Sequence, residues 1–206
     1  MPYFTTETVR RVAEQYLAQI GRVPSIDNAT ARLAEEAFAV GFPPVPEAMT
    51  ELRPPIAFDI FLSHSSLDQL HVLGIYRLLT QRGYAVYLDQ VCDPYLDRTH
   101  VTPLTARVIR YRMVQSKSLF VATSSNISQS KWVPWELGFS DGLNGKAAVL
   151  PILAHNVALF NGQEYFGIYP EVLDHPGYPH GQDLEINHHR MLNEPWDQWV
   201  ARNRTY

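Results

Sequence analysis

Three segments place side chains of chemical interest at the ends of apolar runs: DIFLSHSS at 59–66, YLDQ at 87–90 and SKWVPWELGF at 130–139. Trp132 and Glu136 are four residues apart and share a face if the segment is helical. A preorganised carboxylate there can stabilise developing positive charge; the plainer reading is a core tryptophan beside a solvated acid. Ser63, His64, Ser65 and Ser66 offer hydroxyls and an imidazole to a ligand, or serve as a strand-ending turn that caps the next helix. Asp89 is either a site acid or an ordinary loop acid. Several competing chemistries lack their signatures, since the chain has no Gly-rich phosphate loop, no GxSxG, no HExxH and no CxxC. His175, His180, His188 and His189 lie near Asp174 and Asp183, but their spacing matches no compact metal motif, so no metal is assigned.

Alternating strands and helices would position these residues. Strands are expected at 57–63, 84–88, 119–122 and 147–153, with a fifth at 165–169. Helices are expected at 67–82, from Pro103 to about Gln115, at 132–143 and at 195–202, with a long polar loop over 89–101. This order implies a parallel sheet covered on both faces and joined by right-handed crossovers. Ligands of such sheets sit outside the carboxyl ends of the strands, where strand order reverses. With the first strand central, that crevice is lined by Ser63 and His64 on one side and Thr123 and Ser124 on the other.

Ahead of this unit, residues 5–20 form an amphipathic helical pattern with Val9, Val12, Tyr16, Leu17 and Ile20 on one face. A second helical pattern starts near Asp27 and stops at Gly41, followed by a proline-rich run over 42–55 that reads as a linker. The expected division is an N-terminal helical segment with its linker over 1–50 and an α/β domain over 51–206.

The 206 residues carry 17 lysines and arginines against 21 acids, a net charge of −4, without the basic excess of a duplex-binding protein. The one cysteine, Cys92, excludes an intramolecular disulfide. The longest apolar stretch, 147–154, is interrupted by Pro151 and is far shorter than the roughly 20 residues of a membrane span. These features, with no signal-like pattern in the first residues, predict a cytoplasmic protein that binds neither membrane nor nucleic acid.

Taken together and in order, the three segments resemble the Toll/interleukin-1 receptor (TIR) family over residues 57–155. The most specific element is Trp132-x-x-x-Glu136, similar to the tryptophan–glutamate motif of NAD-cleaving TIR domains; DIFLSHS and YLD match in order and spacing. The resemblance implies a flavodoxin-like α/β fold with about five parallel strands flanked by helices. It makes 89–101 the BB loop, which here departs from the glycine-containing turn common in the family and carries PYLDRTHV. It implies NAD+ as substrate, with no separate cofactor, and Glu136 as the catalytic carboxylate. Ser63, His64, Asp89, Trp132 and Ser124 would contact the substrate. The expected product is ADP-ribose, a cyclic isomer or a related signal, in the manner of stand-alone TIR proteins of Thoeris antiphage systems. Homo-oligomerisation through TIR contacts is implied, as is a separate effector reached by the diffusible product. The alternatives are a non-catalytic TIR adaptor and a nucleoside deoxyribosyltransferase-like enzyme.

Overall fold

The computed structural model describes residues 3–19, 55–94, 96, 98, 100, 102–124, 130–154, 164–189 and 192–203. The expected second N-terminal helix and nearly all of the proline-rich run lie outside the described residues. The strands are β1 (Phe4–Thr5), β2 (Phe58–Ser63), β3 (Val86–Tyr87), β4 (Ser116–Thr123), β5 (Ala147–Leu153), β6 (Glu171–Asp174), β7 (Leu184–Asn187) and β8 (Glu194–Pro195). The helices are α1 (Thr6–Gln19), α2 (Gln69–Gln81), α3 (Asp89–Cys92), α4 (Pro103–Val114), α5 (Val133–Asn144) and α6 (Trp196–Ala201).

The strand order is β3-β2-β4-β5-β6-β7-β8, with β1 paired to the end of β5. Pairings from β3 through β6 are parallel; β7 and β8 extend the sheet antiparallel. Numbered from β2, the parallel part has the 2-1-3-4-5 order of the flavodoxin-like fold. Side-chain alternation divides the core. Ile60, Leu62, Phe120, Ala122, Leu150 and Ile152 face α1 and α2, while Phe61, Leu119, Val121 and Val149 face α4 and α5. Burial of each large apolar side chain contributes about 1.5–3 kcal/mol, and both layers are needed because the strands are apolar on both faces.

The N-terminal helix is part of this packing. Val9, Ala13 and Tyr16 are buried in the α2-side core, and Leu17 packs partly against it. The approach is close enough that a Cβ added to Gly74 of α2 would lie 1.9 Å from the Val9 carbonyl oxygen. Gly83, with φ of 93°, makes the turn from α2 toward β3.

Two expectations need correction. Residues Glu164–Ile168 form a 3-10 turn, and the fifth parallel strand is Glu171–Asp174, beyond Pro170. In the turn Phe166 is buried against the α5-side core, with Tyr165 and Tyr169 packed partly beside it; aromatic enrichment there reflects core packing and not an extended chain. The expected polar loop opens with a helical turn, Asp89–Cys92, which fixes the direction of the Asp89 side chain. Among the described residues no helix is long and apolar enough to cross a membrane.

Candidate active site

Strand alternation and helix phase together build the site. Ser63 is the last residue of β2 and follows Phe61 on the α5-side face. On the facing helix, Glu136 lies in the first turn, where backbone N–H groups and the helix dipole favour negative charge. The helix start is fixed by Ser130, whose Oγ accepts a hydrogen bond from the Val133 N–H at 3.3 Å. The Ser63 hydroxyl donates to Glu136 Oε2 at 2.5 Å. Both residues have 0% exposure. A fully buried carboxylate is costly unless paired and hydrogen-bonded, so its partners define the site.

The second partner comes from the loop. Arg98 Nη2 donates to Glu136 Oε1, and Arg98 Nη1 donates to Asp89 Oδ2 at 2.5 Å. One guanidinium therefore bridges two buried carboxylates. Burial alone would raise the Asp89 carboxyl, but the adjoining Arg98 charge outweighs it and holds Asp89 below the usual carboxylate range. The Trp132 indole N–H donates to the Arg98 carbonyl at 2.9 Å, and the guanidinium carbon stands 5.4 Å from the Trp132 ring centroid. Trp132 thus holds the arginine at both its backbone and its head group.

The other sequence-derived candidates occupy the rim. His64 is buried, with Nε2 3.3 Å from Gln90 Nε2, so it borders Asp89 through the neighbouring residue. Ser65 performs the capping role, accepting from the Leu67 N–H at 3.4 Å; the cap and the site are adjacent members of the same serine-rich turn. Ser124 directly follows β4, and its hydroxyl donates to Oδ2 of the buried Asp68 at 2.6 Å. The structure therefore links Ser63, Asp89, Trp132 and Glu136 through Arg98, and pairs Ser124 with Asp68. Sequence reasoning passed over Arg98 and Asp68. Arg98 had one visible signal, as the single arginine of a loop that also contains Asp89, Asp93 and Asp97.

Burial pushes the Cys92 thiol up to about 12, so it carries almost no thiolate at neutral pH. The tail histidines take part in packing and pairing: His180 stacks 4.3 Å from Tyr84, His188 lies 2.8 Å from Glu194, and His189 meets the Tyr169 carbonyl at 3.0 Å. Among the described residues no group of three or more histidine, cysteine or acidic side chains is arranged to hold a metal.

No family model matches the chain. It is similar to a probable 3' cyclic ADP-D-ribose synthase ThsB' of Bacillus cereus (strain MSX-D12), at 48% identity over 116 residues covering 56% of this chain and 60% of that protein. A putative cyclic ADP-D-ribose synthase TIR2 of Cytobacillus dafuensis is 31% identical over 84 residues, covering 40% of this chain and 22% of the relative. The chain thus spans less than two thirds of the length of either relative. Among solved structures, a metazoan TIR-STING receptor from C. gigas aligns with a TM-score of 0.38 and 18% identity over 50% of this chain and 34% of the receptor. The same receptor in complex with 2',3'-cGAMP aligns with a TM-score of 0.39 and 17% identity over 53% and 33%.

Proposed function

We propose that this chain is a TIR-family enzyme that cleaves the nicotinamide–ribose bond of NAD+ and closes the ADP-ribosyl group into a cyclic ADP-ribose isomer. The observation that carries this reading is the buried Glu136 carboxylate at the carboxyl edge of the sheet, held by Ser63. The names of the two curated relatives, both cyclic ADP-D-ribose synthases, support it.

The chemistry suits one carboxylate. In NAD+ the ribose C1′ is bonded to a positively charged pyridinium nitrogen. When that bond breaks, its electron pair stays on nitrogen and nicotinamide leaves neutral, with no proton required. Ordinary glycosidases need a second carboxyl as general acid to protonate the leaving oxygen. Here Glu136 faces the ribosyl oxocarbenium ion and stabilises its charge, which is worth most in a site closed to water. Ser63 fixes the carboxylate by occupying Oε2, so that Oε1, which Arg98 holds in this structure, is the oxygen that turns to the sugar once the guanidinium moves aside. Capture of C1′ by a nucleophile within the same ADP-ribose closes the ring and releases a proton; capture by water gives linear ADP-ribose and makes the same site a glycohydrolase. Trp132, Asp89 and His64 border the nicotinamide and ribose, and Ser124 stands beside Asp68.

The product would leave the protein and act on a separate effector in antiphage defence, with assembly through TIR contacts controlling activity. The adaptor alternative has no use for a buried, hydrogen-bonded carboxylate at this position. Incubation of the pure protein with NAD+ from nanomolar to tens of micromolar enzyme, with mass-spectrometric identification of products, tests the reaction. The expected result is nicotinamide plus a cyclic ADP-ribose isomer. NAD+ left intact across that range, with and without a crowding agent, would overturn the enzymatic reading.

A further inference from the structure

Arg98 is held in the site by the two carboxylates that the reaction would use, which makes it informative about what the site accepts. Its planar head places one nitrogen on Asp89 and another on Glu136. Two carboxylates face one guanidinium, a formal excess of one negative charge. Asp89 is 6% exposed, and among the described residues its Oδ1 has no hydrogen-bond partner. If the guanidinium leaves and nothing replaces it, two buried acids stand without their counter-charge, which is strongly unfavourable. A neutral ring of the same shape leaves that cost in place, whereas a cation removes it.

We propose that the Asp89–Glu136 pair is a binding site for a flat organic monocation, occupied in the unliganded protein by Arg98 as a stand-in for the substrate's pyridinium. Three properties of the arrangement support this. The guanidinium is planar, delocalised and singly charged, like an N-alkylated pyridinium. The Trp132 ring lies beside it, where a cation gains from the aromatic face. The Arg98 carbonyl is anchored to the Trp132 indole, so the side chain can turn aside while its backbone stays tied.

The proposal deepens the reading of the site as NAD+-cleaving and explains its direction. The oxidised dinucleotide brings the charge that Arg98 must yield to, and the reduced dinucleotide, with a neutral dihydropyridine ring, does not. Bond cleavage then turns the bound ring from cation to neutral nicotinamide. The positive charge passes to the ribosyl oxocarbenium ion beside Glu136; once C1′ is captured and a proton released, the two acids lose their counter-charge, product release is favoured, and Arg98 returns. Arg98 is on this account a specificity-determining residue that works by occupying the site.

The test is a binding measurement that requires no turnover. Wild type and Arg98→Met, each as the full chain, are titrated calorimetrically with N-methylnicotinamide cation and, in parallel, with neutral nicotinamide. A self-ligand reduces apparent affinity by the fraction of molecules in which it is displaced. Arg98→Met should therefore bind the cation about tenfold or more tightly than wild type, with no comparable gain for nicotinamide. Equal affinity of both proteins for the cation overturns the proposal, and so does an equal gain for both ligands, which would make Arg98 a steric obstacle only. If Arg98→Met fails to fold, Arg98→Lys replaces it; its point charge cannot span both acids, so a smaller gain confined to the cation is expected and no gain overturns the proposal. Tighter cation binding by a protein that never cleaves NAD+ would sustain this inference while removing the catalytic one.

Discussion

Two arginines in this molecule each bridge a pair of carboxylates, and they do so in opposite ways. Arg82, just beyond α2, meets Asp174 at 2.5 Å and Asp183 at 3.4 Å. Asp183 also accepts from the Tyr84 hydroxyl at 2.5 Å, and that hydroxyl accepts from the Gly181 N–H at 3.0 Å. The donors and acceptors all belong to the end of α2, the approach to β3 and the β6–β7 hairpin. The cluster is a closed staple that pins the tail to the sheet. Arg98 makes a similar bridge between Asp89 and Glu136, yet it arises from a loop, and Asp89 Oδ1 remains unpaired among the described residues. Similar charge chemistry therefore serves stability where the ring of hydrogen bonds is complete, and a replaceable occupant where it is not.

The sharpest break in this comparison is Glu136→Gln. The substitution keeps shape and a hydrogen-bonding side chain but removes the charge that would face the oxocarbenium ion. NAD+ cleavage should fall by at least about 100-fold, the scale of losing a principal electrostatic group, with thermal unfolding showing a folded protein. Near-normal turnover by that variant would end the assignment of Glu136.

The counterpart in the staple is Asp183→Asn. Asp183 is buried and its hydrogen bonds involve a charged group, so stability measured by urea unfolding should fall by about 2 kcal/mol. Activity per folded molecule should be unchanged, because the bonds of the cluster join Arg82, Tyr84, Asp174, Gly181 and Asp183 to one another and not to Ser63, Asp89, Arg98 or Glu136. Lost turnover with stability intact would mean that the two regions are not separable in the way described.

Ser63→Ala returns to the site with a smaller effect. It leaves the charge of Glu136 in place and removes the donor to Oε2, so turnover should drop about tenfold, the equivalent of one hydrogen bond to a charged group. A fall as large as that of Glu136→Gln would assign Ser63 a role beyond holding the carboxylate.

Much of this contrast was legible in the sequence, though unevenly. The apolar runs of β2, β4 and β5 and the helix signals at Thr102-Pro103 and around Trp132 mark elements whose local pattern agrees with their tertiary setting. The Trp132–Glu136 spacing placed a carboxylate on the helix face that the structure turns toward Ser63. The β6–β7 hairpin was hard to read because its strands have four residues each, and the alternation of Leu184 and Ile186 is too short to stand out among polar neighbours. Arg98 was missed for a different reason. Its position depends on an indole 34 residues away donating to its carbonyl, and no local periodicity records such a contact. Ser124 points to the site on sequence because strand ends converge there, and its bond to Asp68 is a contact between distant segments that no local pattern records.

The smallest effect, and the most discriminating for the staple, concerns Tyr84 at alkaline pH. Its hydroxyl is buried and donates to the Asp183 carboxylate; burial first, then that hydrogen bond, raise its pKa above the ordinary 10.0. In the unfolded chain the phenol ionises near 10, while the folded protein retains the proton. Above pH 10 the unfolded state therefore binds fewer protons than the native state, and stability falls as pH rises. The contribution of Tyr84 is fully present below pH 10 and is lost progressively as pH climbs toward the folded value. Tyr84→Phe removes both the hydrogen bond and the titration. At pH 7 the variant should be less stable than wild type by about 1 kcal/mol. The gap should narrow above pH 10, with a limiting slope of about 1.4 kcal/mol per pH unit. Tyr87, whose pKa is also raised by burial, titrates in both proteins and cancels in the difference. Urea unfolding of the pair from pH 7 to 11 measures the gap directly; a constant difference across that range would show that Tyr84 does not hold its proton against Asp183 in the folded state.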